Sequence, residues 1–391
     1  MSSATSESRD TRVVVLSQFI TAFSWTYVYI FLPFYIQQIS PYEREGTLMW
    51  TGWILGVTGI ASTIFAPIWG GMAAKVSPKR LYETGMLVQA AFMVLMGFTR
   101  SLPVLLLLRF LIGCVGGLST IALIIVSASS AREKITGNIG LFQAALTSGQ
   151  IAGPIAGAFS AELIGYRGTF LIGGALMLVA FAHVHLSLSR VSRFRPELPQ
   201  PIHSRRGLAA GWLLCFAASI QIAFMPSVLP EILSGLRIAQ MEAVRTAGLI
   251  VFAYGVTSVL GSYYLSRLAI LQGRHRTLLW VTVGASGLQL LLGAAGSVLT
   301  FGLVRMLQVG LIAAVIPIVF AEVAASAHGR VIGFMNTSRF ASYAAGPLIA
   351  TAVFAHASPF GLYLGLSLFT LLALVLFLRE HADAAALAPP P

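Results

Sequence analysis

Charged side chains are scarce in this chain: only 10% of its 391 residues are Asp, Glu, Lys or Arg, whereas 57% are hydrophobic. An ordinary soluble domain carries about 25% charged residues. A water-soluble protein of this length could not cover so much apolar surface, so a soluble globular fold is excluded. Uncharged apolar stretches instead recur along the chain, and they predict an all-α polytopic membrane protein.

Cysteine pairs and nucleotide-binding motifs are also missing. The two cysteines, Cys114 and Cys215, lie in separate apolar runs and form no CxxC pair, so neither a disulfide framework nor a zinc site is predicted. The sequence has no G-x-x-x-x-G-K-[ST] phosphate loop with which to bind and hydrolyse a nucleotide. We therefore expect no metal and no cofactor, and we see no residue pattern typical of an enzyme.

The net charge of +12 has a topological explanation. In a soluble protein it would suggest binding to nucleic acid, but in a membrane protein it reflects Lys and Arg held in cytoplasmic loops. We therefore expect no nucleic-acid partner. With alternate loops assigned by this rule, both termini of the inner-membrane protein are predicted to lie in the cytoplasm.

Twelve apolar stretches are long enough to cross a bilayer, which requires roughly 20 residues of helix. They cover residues 13–36, 50–74, 82–99, 103–126, 139–161, 169–189, 208–233, 247–266, 278–297, 299–321, 331–354 and 360–378. The Arg- and Pro-rich segment 190–207 is predicted to be a cytoplasmic linker between six-helix halves at 1–189 and 208–379. Residues 380–391 are predicted to be a disordered tail.

The two halves repeat one another in sequence. Repeat-related pairs are Gly52 and Gly248, Gly59 and Gly255, Arg109 and Arg305, Leu32-Pro33 and Leu229-Pro230, and Gly153-Pro154 and Gly346-Pro347. The spacing within these pairs is 193 to 197 residues, and the pairs occur in the same order at equivalent helix positions. This regularity predicts two parallel six-helix repeats.

Several segments resemble signatures of the major facilitator superfamily. The loop G-G-M-A-A-K-V-S-P-K-R at 70–80 is similar to G-x-L-A-D-R-x-G-R-K, and R-F-L-I-G at 109–113 is similar to R-x-x-Q-G. The run G-Q-I-A-G-P-I-A-G at 149–157 resembles the antiporter signature G-x-x-x-G-P-x-x-G. The runs F-L-P-F-Y at 31–35 and M-W-T-G at 49–52 resemble MdtG-like exporters of the drug:proton antiporter family.

The resemblance implies a transporter whose central cavity opens alternately to each side of the membrane. It assigns a gating role to the basic loop residues Lys75, Lys79 and Arg80. The sequence departs from the signatures at Ala74, where the family has an acid that latches the halves together, and at Ile112, where it has Gln.

Three arginines lie within predicted spans: Arg109, Arg305 and Arg339. A charge at mid-bilayer costs about 2.5–3.5 kcal/mol on the insertion scale, so these side chains should face the protein interior. We expect Arg109 to act in substrate binding or in the response to protons. The alternative for Arg109 and Arg305 is a structural role, such as bonding to backbone carbonyls. Gln308 and Asn336 lie one turn from Arg305 and Arg339, respectively.

Other polar and aromatic side chains are expected to line the same cavity. Gln143 and Gln150 lie two turns apart on helix 5, and Trp25 and Tyr29 share one face of helix 1. Aromatic cavities suit lipophilic or cationic ligands. The alternatives are that the glutamines only hold helices together and that the aromatic residues form an interfacial belt.

Glycines in helix 5 are expected to form a smooth ridge. Gly149, Gly153 and Gly157 recur every four residues, and Pro154 should kink the helix. Their counterparts in helix 11 are Gly346 and Pro347. We expect the ridge to contact a helix of the opposite half and to move during transport, whereas the alternative is ordinary small-residue packing.

Carboxylates that could carry a proton are few. No Asp or Glu lies deep in a predicted span. Glu231, near the outer end of helix 7, and Glu322, at the cytoplasmic end of helix 10, are the candidates, and Glu231 is favoured. The alternative is that both are ordinary interfacial charges.

These observations predict a monomeric exporter of small organic molecules that works by proton antiport. An importer or facilitator on the same fold, and a non-transporting membrane receptor, are the alternatives. Fold alone does not define the substrate.

Overall fold

The computed structural model describes residues 2–73, 75–130, 134–189, 205–324 and 329–386, and the regular structure in these ranges is helical. The helices are α1 Ser2–Tyr29, α2 Leu32–Ile39, α3 Arg44–Met72, α4 Pro78–Met96, α5 Leu102–Cys114, α6 Leu118–Ala128, α7 Ile135–Ser187, α8 Arg205–Ala223, α9 Met225–Gly235, α10 Gln240–Gln272, α11 Arg274–Leu291, α12 Val298–Ile312, α13 Val315–Ala324, α14 Gly329–His356 and α15 Pro359–Ala386. A short 3-10 turn, Leu292–Ala294, follows α11. The predicted all-α membrane class is confirmed.

The predicted spans fall on these helices. In the described residues, nine helical segments are long and apolar enough to cross a membrane by themselves. One of these segments, within α7, contains two predicted spans, which are separated at Gly165, where φ is +74°. The helix α4 is not among the nine, because Lys79, Arg80 and Glu83 fall in its first two turns. The full count of twelve spans stays a prediction.

Each of four predicted spans consists of two consecutive helices that are separated by a short break. The breaks separate α1 from α2, α5 from α6, α8 from α9 and α12 from α13. Pro33 and Pro226 lie in the first turn after two of these breaks, where proline removes a donor from the helical ladder. Each break has a counterpart in the other half of the sequence, which the apolar pattern did not reveal.

The chain forms two compact units. Unit 1 comprises Met1–Glu43, Trp53–Glu197 and Ile238–Phe252, and unit 2 comprises Arg44–Gly52, Leu198–Arg237 and Ala253–Pro391. In unit 1, α1 packs along α7, and α4 and α6 complete the bundle. In unit 2, α8 packs against α14 and α15, and α11 packs against α12 and α15.

The boundaries of the predicted linker and tail need correction. The linker residues 190–204 lie outside the described residues, and α8 already includes the remaining three. The helix α15 continues to Ala386, so residues 380–386 of the predicted disordered tail are helical. Residues 387–391 lie outside the described ranges.

Candidate functional site

Arg109 lies on α5 in an aromatic and mostly apolar shell within unit 1. Its side chain is 1% exposed. The guanidinium carbon lies 4.9 Å from the ring centre of Trp25 and 5.7 Å from that of Tyr29. Both rings belong to α1 and lie one turn apart, so one face of that helix supplies both cation–π contacts.

The hydrogen bonding of Arg109 is incomplete. Its Nε donates to the carbonyl oxygen of Ile54 at 3.3 Å. Its Nη2 is buried and has no hydrogen-bond partner among the described residues. Within those residues no Asp or Glu forms an ion pair with it. A buried cation with an unused donor is costly, and this donor is therefore suited to a polar ligand atom.

Arg305 in unit 2 also lies beside two aromatic rings, 5.3 Å from the ring centre of Phe224 and 5.1 Å from that of Tyr254, but it has more hydrogen-bond partners than Arg109. It is fully buried, and its Nη1 donates to the side-chain oxygens of Gln308 at 2.7 Å and Gln289 at 3.5 Å. Gln308 in turn donates to the side-chain oxygen of Gln221 at 2.7 Å. We call Gln221, Gln289 and Gln308 the glutamine cage.

The same arginine also caps a broken helix. Its Nη2 donates to the carbonyl oxygens of Gln221 at 2.8 Å and Ile222 at 3.5 Å, in the last turn of α8. The helical partner of the Ile222 carbonyl would be the amide of residue 226, which is proline and has no N–H. Arg305 therefore replaces a backbone donor that the sequence removes.

The repeat shows how the two arginines came to differ. With the spacing of 197 residues that relates helices 1 and 7, Gln221 matches Ser24, and with the spacing of 196 residues Gln289 and Gln308 match Met93 and Ile112. Three amides in unit 2 thus correspond to a hydroxyl and two apolar side chains in unit 1. Both arginines have one buried nitrogen without a partner among the described residues, Nε of Arg305 and Nη2 of Arg109. The larger number of bonds made by Arg305 favours the structural alternative for that residue.

The other predicted cavity residues have no close contact with Arg109 among the described residues, and two of them are exposed. Gln143 is exposed and Gln150 is half-buried, and in the described part of the chain neither is hydrogen-bonded to Arg109. Asn336 is exposed and Arg339 is half-buried on α14. Their place in a substrate path stays a prediction.

The predicted partner of the glycine ridge was wrong. A Cβ at Gly149, Gly153 or Gly157 would clash with the backbone of α1, at Phe19, Phe23 and Tyr27. The ridge therefore packs within unit 1. The lack of side chains lets α1 approach closely enough for Thr26 Oγ1 to donate to the Gly149 carbonyl at 3.3 Å. Gly346 makes the corresponding contact with Ala223 and Phe224 in unit 2.

Both candidate proton carriers are ion-paired. Glu231 accepts a hydrogen bond from Arg44 Nε at 2.6 Å, and Glu322 accepts one from Arg274 Nη1 at 2.9 Å. His275 lies 3.8 Å from Glu322. Each carboxylate therefore has an arginine as its ion-pair partner.

The predicted loop cations divide into one structural residue and two exposed ones. Lys79 donates to the carbonyls of His185 and Leu188, at the C-terminus of α7. It also lies 3.7 Å from Glu83. A lysine at this end of a helix bonds the carbonyls that lack amide partners. Lys75 and Arg80 are exposed.

Sequence reasoning missed several residues that define these environments. They are Gln221 and Gln289 of the glutamine cage, and Arg44 beside Glu231. The available signal was a polar residue inside an apolar run, because such residues are rare in membrane spans and usually have a partner.

The described helices and the buried arginine in each unit are those of an all-α membrane protein. The chain matches the Major Facilitator Superfamily over residues 14–232, and it belongs to that family. It is a multi-pass membrane protein, a secondary transporter of small molecules and not an enzyme.

Curated relatives and solved structures agree with this assignment. The chain is 26% identical to the multidrug resistance protein MdtG of Klebsiella pneumoniae strain 342, over 95% of this chain and 94% of that protein. It is 25% identical to MdtG of Escherichia coli strain 55989, over 89% and 88% of the two chains. Among solved structures, a bacterial homolog of the human lysosomal transporter Spinster, inward-facing and occupied, superposes with a TM-score of 0.75. That structure covers 96% of both chains at 12% identity, which shows the fold alone.

Proposed function

We propose that this transporter exports small organic molecules from the cell and that Arg109 contacts the molecule that is moved. The single observation that carries the proposal is the unused, buried guanidinium donor of Arg109, between Trp25 and Tyr29. Such a site can bind an aromatic or carbonyl-bearing compound by stacking and by one hydrogen bond. Similarity to proteins named for multidrug resistance over most of the chain supports export.

Proton antiport is the proposed driving force. A proton carrier must change its charge during the cycle and must be linked to something that moves. Protonation of Glu231 would remove the negative partner of Arg44, so it would weaken a contact between two helices. The family resemblance of segment 149–157 to the antiporter signature supports the same assignment.

Facilitated diffusion is a second candidate, favoured by one specific observation. The candidate carriers Glu231 and Glu322 form close ion pairs with arginine, and no Asp or Glu lies deep in a predicted span. In that case the substrate gradient alone would drive transport.

Two experiments test these proposals. A strain that lacks the gene is compared with an overexpressing strain by growth on a panel of toxic compounds and by profiling of extracellular metabolites. Greater sensitivity on deletion is expected for export, whereas loss of growth on a nutrient would instead show uptake.

The purified chain is then placed in liposomes with a pH difference as the sole gradient, and substrate accumulation is expected for proton antiport. Equilibration without accumulation would show facilitated diffusion.

A further inference from the structure

Arg305 carries a buried positive charge that has no acidic partner in the part of the chain that the structure describes. None of the ion pairs among those residues includes it. Its Nη1 and Nη2 donate to uncharged oxygens, which belong to Gln221, Ile222, Gln289 and Gln308. Burying a charge costs far more than burying a neutral polar group unless an opposite charge compensates it. The described core of unit 2 therefore contains a positive charge without a counter-charge.

The third nitrogen of this guanidinium has no acceptor among the described residues. Arg305 is fully buried, and its Nε makes no hydrogen bond within those residues. The rings of Phe224 and Tyr254 lie near the guanidinium carbon, and they stabilise the cation through their faces. They do not supply an acceptor atom to Nε, so one N–H of the cation stays available.

A second unused donor lies beside the first. The side-chain oxygen of Gln289 faces Arg305 Nη1 at 3.5 Å, and its amide nitrogen Nε2 is buried without a partner in the described chain. Ser286, one turn earlier on α11, adds a buried hydroxyl that also has no partner there. We call Arg305 Nε, Gln289 Nε2 and Ser286 Oγ the donor cluster. The two nitrogens can only donate, so a group that satisfies them must be an acceptor.

We propose that the donor cluster binds one small monovalent anion, such as chloride. A single negative charge compensates the single charge of Arg305, whereas a divalent anion would leave an uncompensated negative charge in the core. The serine hydroxyl can donate to the same anion. A water molecule could accept these hydrogen bonds, but it would leave the buried charge uncompensated. The inference goes beyond the proposed export function and does not depend on it.

The sequence repeat restricts this site to unit 2. The position that matches Gln289 in the first half is Met93, whose side chain has no N–H to donate. Arg109 therefore lacks the second donor that Gln289 provides to Arg305. The same comparison supplies a natural substitution, Gln289→Met, for removing the site.

Thermal unfolding in two salts tests for the anion. The full chain is purified in detergent with sodium gluconate, and chloride then replaces gluconate at constant ionic strength. A ligand that binds only the folded state raises the melting temperature by mass action. We expect a saturable rise of about 2 °C or more, and equilibrium dialysis with radioactive chloride should detect bound ion. Equal melting temperatures in the two salts would overturn the proposal and favour a neutral water molecule.

Two substitutions at Gln289 distinguish this site from a general effect of salt. Gln289→Glu places a carboxylate beside Arg305, so the chain itself supplies the negative charge. This variant is expected to melt in gluconate at or above the temperature of the parent chain in chloride, and to lose the chloride response. Gln289→Met should lower the melting temperature and also reduce the response. A Gln289→Glu variant that responds to chloride as the parent does would overturn the proposal.

A buried glutamine in unit 1 provides the matched control. Gln18 on α1 is 2% exposed, and its atom without a partner among the described residues is the acceptor Oε1, which does not attract an anion. Gln18→Met should therefore keep the chloride response of the parent chain. Loss of the response in this variant would show that it does not arise at the donor cluster. None of these measurements uses transport, so a failure of the export proposal leaves them unaffected.

Discussion

At the scale of single residues, two repeat-related arginines differ in their hydrogen bonding. Arg305 donates to two members of the glutamine cage and to two carbonyls of α8, and only its Nε lacks a partner among the described residues. Arg109 donates to one backbone carbonyl, and its buried Nη2 lacks a partner among those residues. Both guanidinium groups lie beside two aromatic rings, so the difference is in the number of acceptors.

Replacement of Arg109 should affect transport and leave folding intact. Arg109→Ala is expected to abolish transport while protein abundance and membrane insertion stay near the parent level. Arg109→Lys keeps the charge but loses the planar guanidinium, so it should restore only part of the activity. Transport and membrane abundance are measured in the same vesicles. Full activity of the Ala variant would disprove a role for this side chain.

Replacement of Arg305 should lower the stability and abundance of the protein, in contrast to replacement of Arg109. Arg305→Ala removes the donor to the Ile222 carbonyl and to the side-chain oxygens of Gln289 and Gln308, and each unsatisfied buried group costs about 1–3 kcal/mol. A lower melting temperature in detergent and reduced abundance are expected. Gln289→Met introduces the residue found at the matching position, Met93, and should destabilise less than Arg305→Ala. If Arg305→Ala melts like the parent chain but cannot transport, the structural assignment is wrong.

At the scale of helices, close glycine packing decides how α1 and α7 meet. The ridge at Gly149, Gly153 and Gly157 lies directly against the α1 backbone. The two helices make an extensive contact with each other in the part of unit 1 that the structure describes. Their separation by one bulky side chain would therefore disturb the packing of the whole unit.

The ridge yields a prediction with an internal control. Gly153→Leu forces a side chain into α1 at Phe23 and Tyr27, and overpacking of this kind costs about 1–3 kcal/mol. A lower thermal stability in detergent is expected. Gly140, also on α7, has open space where a Cβ would lie, so Gly140→Leu should be tolerated. Equal melting temperatures for the two variants would contradict the ridge contact.

At the scale of the whole molecule, proton coupling requires a carboxylate whose protonation changes its interaction with a helix that moves during transport. Glu231 is 19% exposed and pairs with Arg44 at the start of α3. Glu231→Gln is expected to keep substrate binding but to lose accumulation driven by a pH difference in liposomes. Glu322→Gln, which among the described residues affects the Arg274 and His275 contacts, tests the second candidate carrier and is expected to accumulate substrate like the parent chain. Accumulation by Glu231→Gln at the parent rate would exclude it as the carrier.

The sequence alone predicted the membrane class, the span positions and the repeat, because long apolar runs and recurring Gly, Pro and Arg survive in a single chain. It did not predict the helix breaks, since Pro33, Pro226 and the pair Gly116-Gly117 leave the apolar pattern uninterrupted. The glutamine cage was missed for another reason. Gln221, Gln289 and Gln308 come from three different helices, and periodicity within one helix does not show which helices are neighbours.

The surroundings of the buried arginines also bear on how the protein is made. An arginine that enters the bilayer alone carries an insertion penalty of about 2.5–3.5 kcal/mol. Arg109 contacts α1 and α3, and Arg305 contacts the end of α8, α10 and α11, besides Gln308 on its own helix. These hydrogen-bond and cation–π partners all precede the arginine-bearing helix in the chain or lie within it, whereas Tyr363 on α15, which also interacts electrostatically with Arg305, follows it. During synthesis, the hydrogen-bond and cation–π partners of each buried arginine have therefore already been made when the charged helix leaves the ribosome.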